Sequence, residues 1–147
     1  MNIGTAKVSS SAYEAFDLGI LKKSDRISIN QSRLLADAKA RVIEFSVAGY
    51  TKPFPRSDIR VLGKDALSMF LVGAHSMETA HYISGHDKKI SGKLAYIMSG
   101  GDLSYPQNVS EQYLLDLERE AFLSLCGERK TQERIEYTLK TGKPLRN

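Results

Sequence analysis

Three histidines, His75, His81 and His86, are the residues of this chain that could most readily support catalysis or bind a metal. Their separations are six and five residues, whereas side chains three or four residues apart share one helix face. No nearby cysteine or acidic residue completes a tetrahedral ligand set, and no serine or cysteine motif offers a nucleophile. The pattern predicts no metal site and no catalytic residue. It favours His75 or His81 as a partly buried side chain with one hydrogen bond.

Four acidic residues in the penultimate helix raise the question of acid–base chemistry, which paired carboxylates perform when burial separates their pKa values. They are Glu111, Asp116, Glu118 and Glu120. They alternate around the helix with Arg119 between them, which is typical of a solvated face. Glu111 near the helix start also complements the helix dipole.

The glycines do not form a nucleotide-binding motif. No strand followed by G-x-G-x-x-G occurs, and no G-x-x-x-x-G-K-[ST] occurs. The pair Gly100-Gly101 is best interpreted as the end of a helix. No NAD-binding fold is therefore predicted in this chain.

The whole chain has a net charge of +4, and basic residues outnumber acidic ones in about its last twenty residues. The cations are Arg129, Lys130, Arg134, Lys140, Lys143 and Arg146, against Glu128, Glu133 and Glu136. A solvated helix face and an anion site both fit this excess, since two or three such charges can bind a nucleotide phosphate. No basic and aromatic stripe or motif supports nucleic-acid binding.

Length and composition predict a globular, cytoplasmic protein. Its 147 residues are 41% hydrophobic and 26% charged, which is ordinary for a domain with a core. The single cysteine, Cys126, excludes an intramolecular disulfide and fits a reducing compartment. Met1 to Ser11 does not have the features of a signal peptide. The longest apolar stretch, Ala66 to Ala74, is too short for a membrane span.

Apolar spacing predicts a mainly α fold with about six helices and no substantial sheet. The predicted helices cover residues 11–18, 31–48, 64–83, 87–98, 110–125 and 131–140, with a short extended piece at 26–29 and a loop at 102–108. Pro53 and Pro55 interrupt the pattern. We expect a helical unit at 1–49, a proline-containing linker at 50–62 and a second helical unit at 63–147.

Both ends of the chain resemble one family. Ala12-Tyr13-Glu14-Ala15-Phe16-Asp17-Leu18-Gly19-Ile20 has the A-x-E-A-x-x-L-G-L/I pattern that comes after the catalytic core of crotonase-family (enoyl-CoA hydratase/isomerase) proteins. Asp25 to Asn30 and Leu34 to Lys39 are similar to the next segment of long bacterial 3-hydroxyacyl-CoA dehydrogenases. The block from Glu120 to Pro144 is similar to the family's closing helices. The resemblance covers nearly the whole chain.

This resemblance implies a C-terminal, crotonase-like helical part of a fatty-acid β-oxidation enzyme, with 1–49 continuing from a catalytic core that is absent here. In the family that core supplies two backbone N–H groups as an oxyanion hole, and no position of this chain matches them. The whole enzyme would use NAD, bound in a distant domain, and an acyl-CoA substrate. This chain itself would carry no cofactor, cap the core and contribute to homo-oligomer contacts.

The resemblance also implies Lys140 and Lys143 as contacts to a CoA phosphate. The sequence departs from the family here. Thr138 stands where crotonases often have phenylalanine, and Thr141-Gly142 stands where several have a basic pair. The stretch from Tyr50 to Asn108 is longer than a standard crotonase tail. The alternative interpretation is a non-catalytic helical module that binds another protein.

Overall fold

The computed structural model describes residues 7–147, and within them six α-helices and one two-stranded sheet account for the regular structure, with a single 3₁₀ turn at Gln31–Arg33. The helices are α1 (Ala12–Asp17), α2 (Leu34–Val47), α3 (Gly63–Thr79), α4 (Gly85–Ser99), α5 (Glu111–Cys126) and α6 (Arg129–Thr141), and the strands are β1 (Ile59–Val61) and β2 (Gln107–Val109). The mainly α fold predicted from the sequence is confirmed. Across residues 7–147, no helix is long and apolar enough to cross a membrane.

The chain divides into two compact units, the first ending at Phe54 and the second beginning at Pro55. This division falls inside the segment 50–62 that the sequence marks as a linker. Residues 59–61 of that segment form β1, so part of the expected linker belongs to the second unit.

In the first unit, α1 begins after Ser11, whose hydroxyl accepts a hydrogen bond from the Glu14 amide. The 3₁₀ turn begins after Asn30, which accepts from the Ser32 amide in the same way. The segment before this turn runs along α2, where Ser28 donates a hydrogen bond of 2.8 Å to Asp37. None of the fourteen residues of α2, all of them described, is buried.

The second unit packs α3 against α4 and α4 against α5, with α6 on α5. Helices α3, α4 and α5 each have one buried alanine: Ala74, Ala95 and Ala121. Small side chains at these positions let the helix backbones approach closely. The antiparallel strands β1 and β2 pair Ile59 with Val109 and Val61 with Gln107.

The connection between α3 and α4 lies elsewhere than the sequence pattern predicts. The expected helix 64–83 ends at Thr79, and His81 adopts a left-handed backbone with φ of 59°. Ser84 caps the start of α4, since its hydroxyl accepts from the Asp87 amide while the Asp87 carboxylate accepts from the Ser84 amide. The expected loop at 102–108 contains the start of β2, which a strand of three residues does not reveal by periodicity.

Leu117 of α5 should contribute to the stability of the second unit. Its two methyl groups lie 3.3 Å from the position that a Cβ on Gly101 would occupy, and it is half-buried. We expect Leu117→Ala to lower the free energy of unfolding by about 2 kcal/mol, the low end for a truncated leucine. Leu123→Ala in the same helix is the control, since Leu123 is 64% exposed. Equal urea midpoints for the two variants would contradict this packing.

Candidate functional site

An apolar groove of about 590 Å³ lies between α4, α5 and α6 of the second unit. Its walls are mostly aliphatic and aromatic, with Ile90, Leu94, Ile97, Leu115, Phe122 and Ile135 among them. Its volume is within the range of about 300–1,000 Å³ that small-molecule sites occupy. Phe122 lines this groove and is 58% exposed.

Three cations, Lys93, Arg119 and Arg134, and one acid, Glu118, also line the groove. Arg119 donates a hydrogen bond of 2.9 Å to Asp116, and both side chains are more than half exposed. Arg134 is turned to Asp87. The two arginines are thus neutralised by partners, and the groove is an apolar surface with a mixed polar rim.

A partly buried polar cluster is centred on Arg134, whose side chain also lines the groove. Arg134 Nη1 lies 2.7 Å from Asp87 Oδ1, and the two side chains are 16% and 11% exposed. Arg134 Nε donates to Asn147 Oδ1 at 2.7 Å. Arg146 Nη1 also approaches Asp87, at 3.5 Å, and the side-chain Nδ2 of Asn147 donates to Glu133 Oε2 at 2.9 Å. This cluster fastens the start of α4 to α6 and to residues 146–147.

The environment of Asp87 lowers the pKa of its carboxyl group to about 2, from an ordinary value of 3.8. Burial by itself would raise that pKa. The hydrogen bonds from Arg134 and from the Ser84 amide and hydroxyl, together with the positive charge of Arg134, outweigh it. Asp87 is therefore ionised at neutral pH and serves as the fixed anion of the cluster.

Acid should weaken the second unit through this carboxylate. A group whose pKa is lower in the folded protein stabilises it above the unfolded pKa, and that contribution is lost as the pH falls through the folded pKa. A shift from 3.8 to about 2 corresponds to about 2 kcal/mol, lost between about pH 5 and pH 2. Urea unfolding at several pH values should show a shallower acid dependence in Asp87→Asn than in the unaltered chain. Parallel curves would contradict the assignment.

His86 is buried and its Nε2 lies 2.9 Å from the Thr131 hydroxyl oxygen. Burial and the neighbouring charge of Arg134 lower the pKa of the imidazole, so the ring is neutral at pH 7. A hydroxyl and an imidazole at this distance suit nucleophilic catalysis only when a third group orients the base. No partner of His86 Nδ1 is found among residues 7–147, and the pair is best interpreted as a link between α4 and α6.

The other histidines correct the expectation that His75 or His81 would be partly buried. Both are exposed, and the buried one is His86. His75 Nδ1 lies 3.2 Å from Lys88 Nζ at the surface. Within residues 7–147, no group of three or more histidine, cysteine, aspartate or glutamate side chains is placed to hold a metal ion.

Lys140 and Lys143, the residues that the resemblance assigns to a CoA phosphate, lie at the end of α6. Lys140 forms an ion pair with Glu136 one turn earlier, and its side chain is 71% exposed. Lys143 is exposed and its amide donates to the Thr141 hydroxyl. Arg146, the third member of the basic tail, is turned to Asp87. The CoA contact itself stays a prediction.

Sequence reasoning missed the Asp87–Arg134 pair. The spacing Ser84-x-x-Asp87 is a capping signal that could have placed Asp87 at a helix start. Arg134 had no such signal, because its partner is 47 residues away and charged residues at helical spacing are usually solvated. Only tertiary packing brings the two together.

Fold and site together define a helical module that has an apolar groove and a structural ion-pair cluster.

Over 145 residues, 99% of its length, the chain is 47% identical to a protein described as a probable 3-hydroxyacyl-CoA dehydrogenase of Bacillus subtilis (strain 168). The match covers 18% of that relative, so the chain spans about a fifth of its length. No family model matches the chain, and no solved structure is significantly similar to it.

Proposed function

We propose that this chain is a C-terminal, helical portion of a 3-hydroxyacyl-CoA dehydrogenase of fatty-acid β-oxidation and carries no catalytic residue of its own. The observation that carries the proposal is the 47% identity over almost the entire chain to one segment of a much longer relative. An identity of this level over 145 residues indicates the same local fold and the same structural role within the longer protein.

The finer parts of the proposal rest on the crotonase resemblance. They are an additional enoyl-CoA hydratase activity, NAD and an acyl-CoA substrate bound by the remainder of the enzyme, homo-oligomer contacts and a cytoplasmic location. Lys140 and Lys143 near a CoA phosphate also belong here. The ion pair between Lys140 and Glu136 leaves Lys143 as the stronger candidate of the two.

The second candidate function is a non-catalytic protein-interaction module. The large apolar side chains exposed on α2 favour it, since Leu35 is 82% and Val42 is 66% exposed. Contiguous apolar surface of this kind marks protein contacts. The two functions agree on a docking role and differ in whether the partner is the remainder of an acyl-CoA enzyme.

The 147-residue chain by itself is expected to be inactive. Purified chain should show neither NAD-dependent oxidation of 3-hydroxybutyryl-CoA nor hydration of crotonyl-CoA above a heat-inactivated control. The physical reason is that no segment matches an oxyanion hole or a dinucleotide-binding glycine motif. Turnover proportional to the concentration of the chain would contradict the proposal.

A further inference from the structure

The last helix, α6, is attached to the second unit in a different way from the three helices before it, each of which has a buried alanine. All thirteen residues of α6 are described, and none of them is buried. Its half-buried residues are Thr131, Glu133 and Arg134, which are all polar. Its apolar side chains are exposed, Ile135 by 41% and Leu139 by 82%. Burial of apolar surface therefore contributes little to holding α6 in place.

Polar pairs join α6, or the residue just before it, to the first part of α4. They are Asp87–Arg134 at 2.7 Å, His86–Thr131 at 2.9 Å and Lys89–Glu128 at 2.9 Å. Lys89 and Glu128 are about half exposed, and exposed ion pairs contribute little in water. Asp87 and Arg134 are 11% and 16% exposed, so their pair is the strongest link between the two helices.

Asn147 holds the Arg134 guanidinium in position for this link. Gly142, with a φ of 68°, ends α6 and lets the chain turn back along the helix. Arg134 Nε donates to Asn147 Oδ1 at 2.7 Å, and Arg134 Nη2 donates to the main-chain oxygen of Asn147 at 3.1 Å. Asn147 Nδ2 in turn donates to Glu133 Oε2 at 2.9 Å. Two nitrogens of the guanidinium are thus held by Asn147, which leaves Nη1 directed at Asp87.

The connection between α5 and α6 consists of Gly127 and Glu128 alone. Gly127 is exposed and has no side chain to restrict its backbone, as hinge positions often do. Helix α6 supplies Thr131, Arg134 and Ile135 to the apolar groove, and α4 and α5 supply the other lining residues. A turn of the backbone at Gly127 would therefore move one wall of the groove and leave the other two in place.

We propose that α6 is a hinged wall of the apolar groove, which turns at Gly127 and is held closed by the Asp87–Arg134 pair, with Asn147 as the residue that positions Arg134. Opening breaks polar contacts that water can replace, and it leaves the buried alanines of α3, α4 and α5 undisturbed. It exposes the apolar side chains that α4 and α5 turn to the groove. The segment 142–147 thereby controls access to the groove.

Hydrogen exchange of the full chain at several low urea concentrations tests the movement. The amides of α6 should exchange at least about tenfold faster than the slowest amides of α4 and α5. Their rates should depend little on urea, because opening of one helix exposes much less surface than unfolding. Exchange of α6 at the rate of the slowest amides at every urea concentration would overturn the proposal, since α6 would then open only when the whole unit unfolds.

Variants of the full chain test the role of Asn147. Asn147→Ala should speed the exchange of α6 about tenfold, the factor expected for losing hydrogen bonds to a charged group. Leu139→Ala is the control in the same helix and should change the rate by less than about twofold, because Leu139 is 82% exposed. Equal rates in the two variants would overturn the role of Asn147.

Arg134→Lys keeps the positive charge beside Asp87 but loses the planar fork of donors that Asn147 holds. It should speed the exchange of α6 about as much as Asn147→Ala does. The double variant should be little faster than either single variant, since both changes remove the same hydrogen bonds. Effects that multiply in the double variant would show that Asn147 does not act through Arg134.

Binding of the hydrophobic fluorescent probe anilinonaphthalene sulfonate, measured without urea, tests whether the movement uncovers the groove. The probe should bind Asn147→Ala more tightly than it binds the unaltered chain or Leu139→Ala, because apparent affinity rises with the population of the open form. Equal affinities for the three proteins, with faster exchange of α6 in Asn147→Ala, would show that the helix moves without controlling access to the groove, and would overturn the proposal.

Discussion

Arg134→Met should destabilise the second unit by about 1.5–3 kcal/mol, the range for losing hydrogen bonds to a charged group in a partly buried ion pair. The variant leaves the Asp87 carboxylate, 11% exposed, without the guanidinium 2.7 Å away. It also removes the hydrogen bonds from Arg134 to Asn147. Only the Ser84 cap and the more distant Arg146 would remain near the carboxylate.

Lys140→Met is the matched control, since it makes the same kind of exchange in the same helix. Lys140 and Glu136 form an exposed ion pair one helical turn apart, and such pairs contribute little in water. The urea midpoint of Lys140→Met should therefore equal that of the unaltered chain within experimental error. Similar losses in the two variants would show that the Arg134 cluster is no more than a surface feature.

Gly100→Ala should cost about 2–5 kcal/mol through two separate effects. Gly100 ends α4 with a φ of 85°, a conformation that costs a residue with a Cβ about 1–2 kcal/mol. The new methyl group would also lie 2.5 Å from Val61 Cγ2, which is too close. Val61 is 2% exposed and cannot move away without disturbing β1, and overpacking of this kind costs about 1–3 kcal/mol.

Gly142→Ala separates the two effects. Gly142 ends α6 with a φ of 68°, and no atom of residues 7–147 outside its own stretch of chain lies within 4 Å of the position that its Cβ would occupy. It should show the backbone cost alone, about 1–2 kcal/mol. Thermal unfolding of both variants should give a lower midpoint for Gly100→Ala, and equal midpoints would contradict the close contact with Val61.

Local sequence signals were enough to predict the helices of this protein. They could not predict contacts between residues that are far apart in the sequence. Ser11, Asn30 and Ser110 cap helix starts as their residue types indicate, because a cap depends on neighbours within a few residues. The strand pair β1–β2 was missed since each strand has three residues, too few for a period of two to emerge.

The candidate site was less accessible to sequence reasoning than the fold. The apolar residues of the groove were correctly placed on helices, but amphipathic spacing cannot distinguish a side chain in the core from one on an unfilled groove. Leu94 and Phe122 illustrate this, since both have helical spacing and both line the groove, where Phe122 is 58% exposed. Similarly, the basic tail suggested converging charges, whereas Lys140 pairs locally and Arg146 is drawn to Asp87.

The most direct test of the proposed function is to graft the chain into its relative. The 147 residues would replace the aligned segment of the Bacillus subtilis protein, and NAD reduction with a 3-hydroxyacyl-CoA would be measured beside the unaltered relative and a version carrying an unrelated helical segment of equal length. We expect activity in the graft and its loss with the unrelated segment. A folded but inactive graft beside an active relative would contradict it.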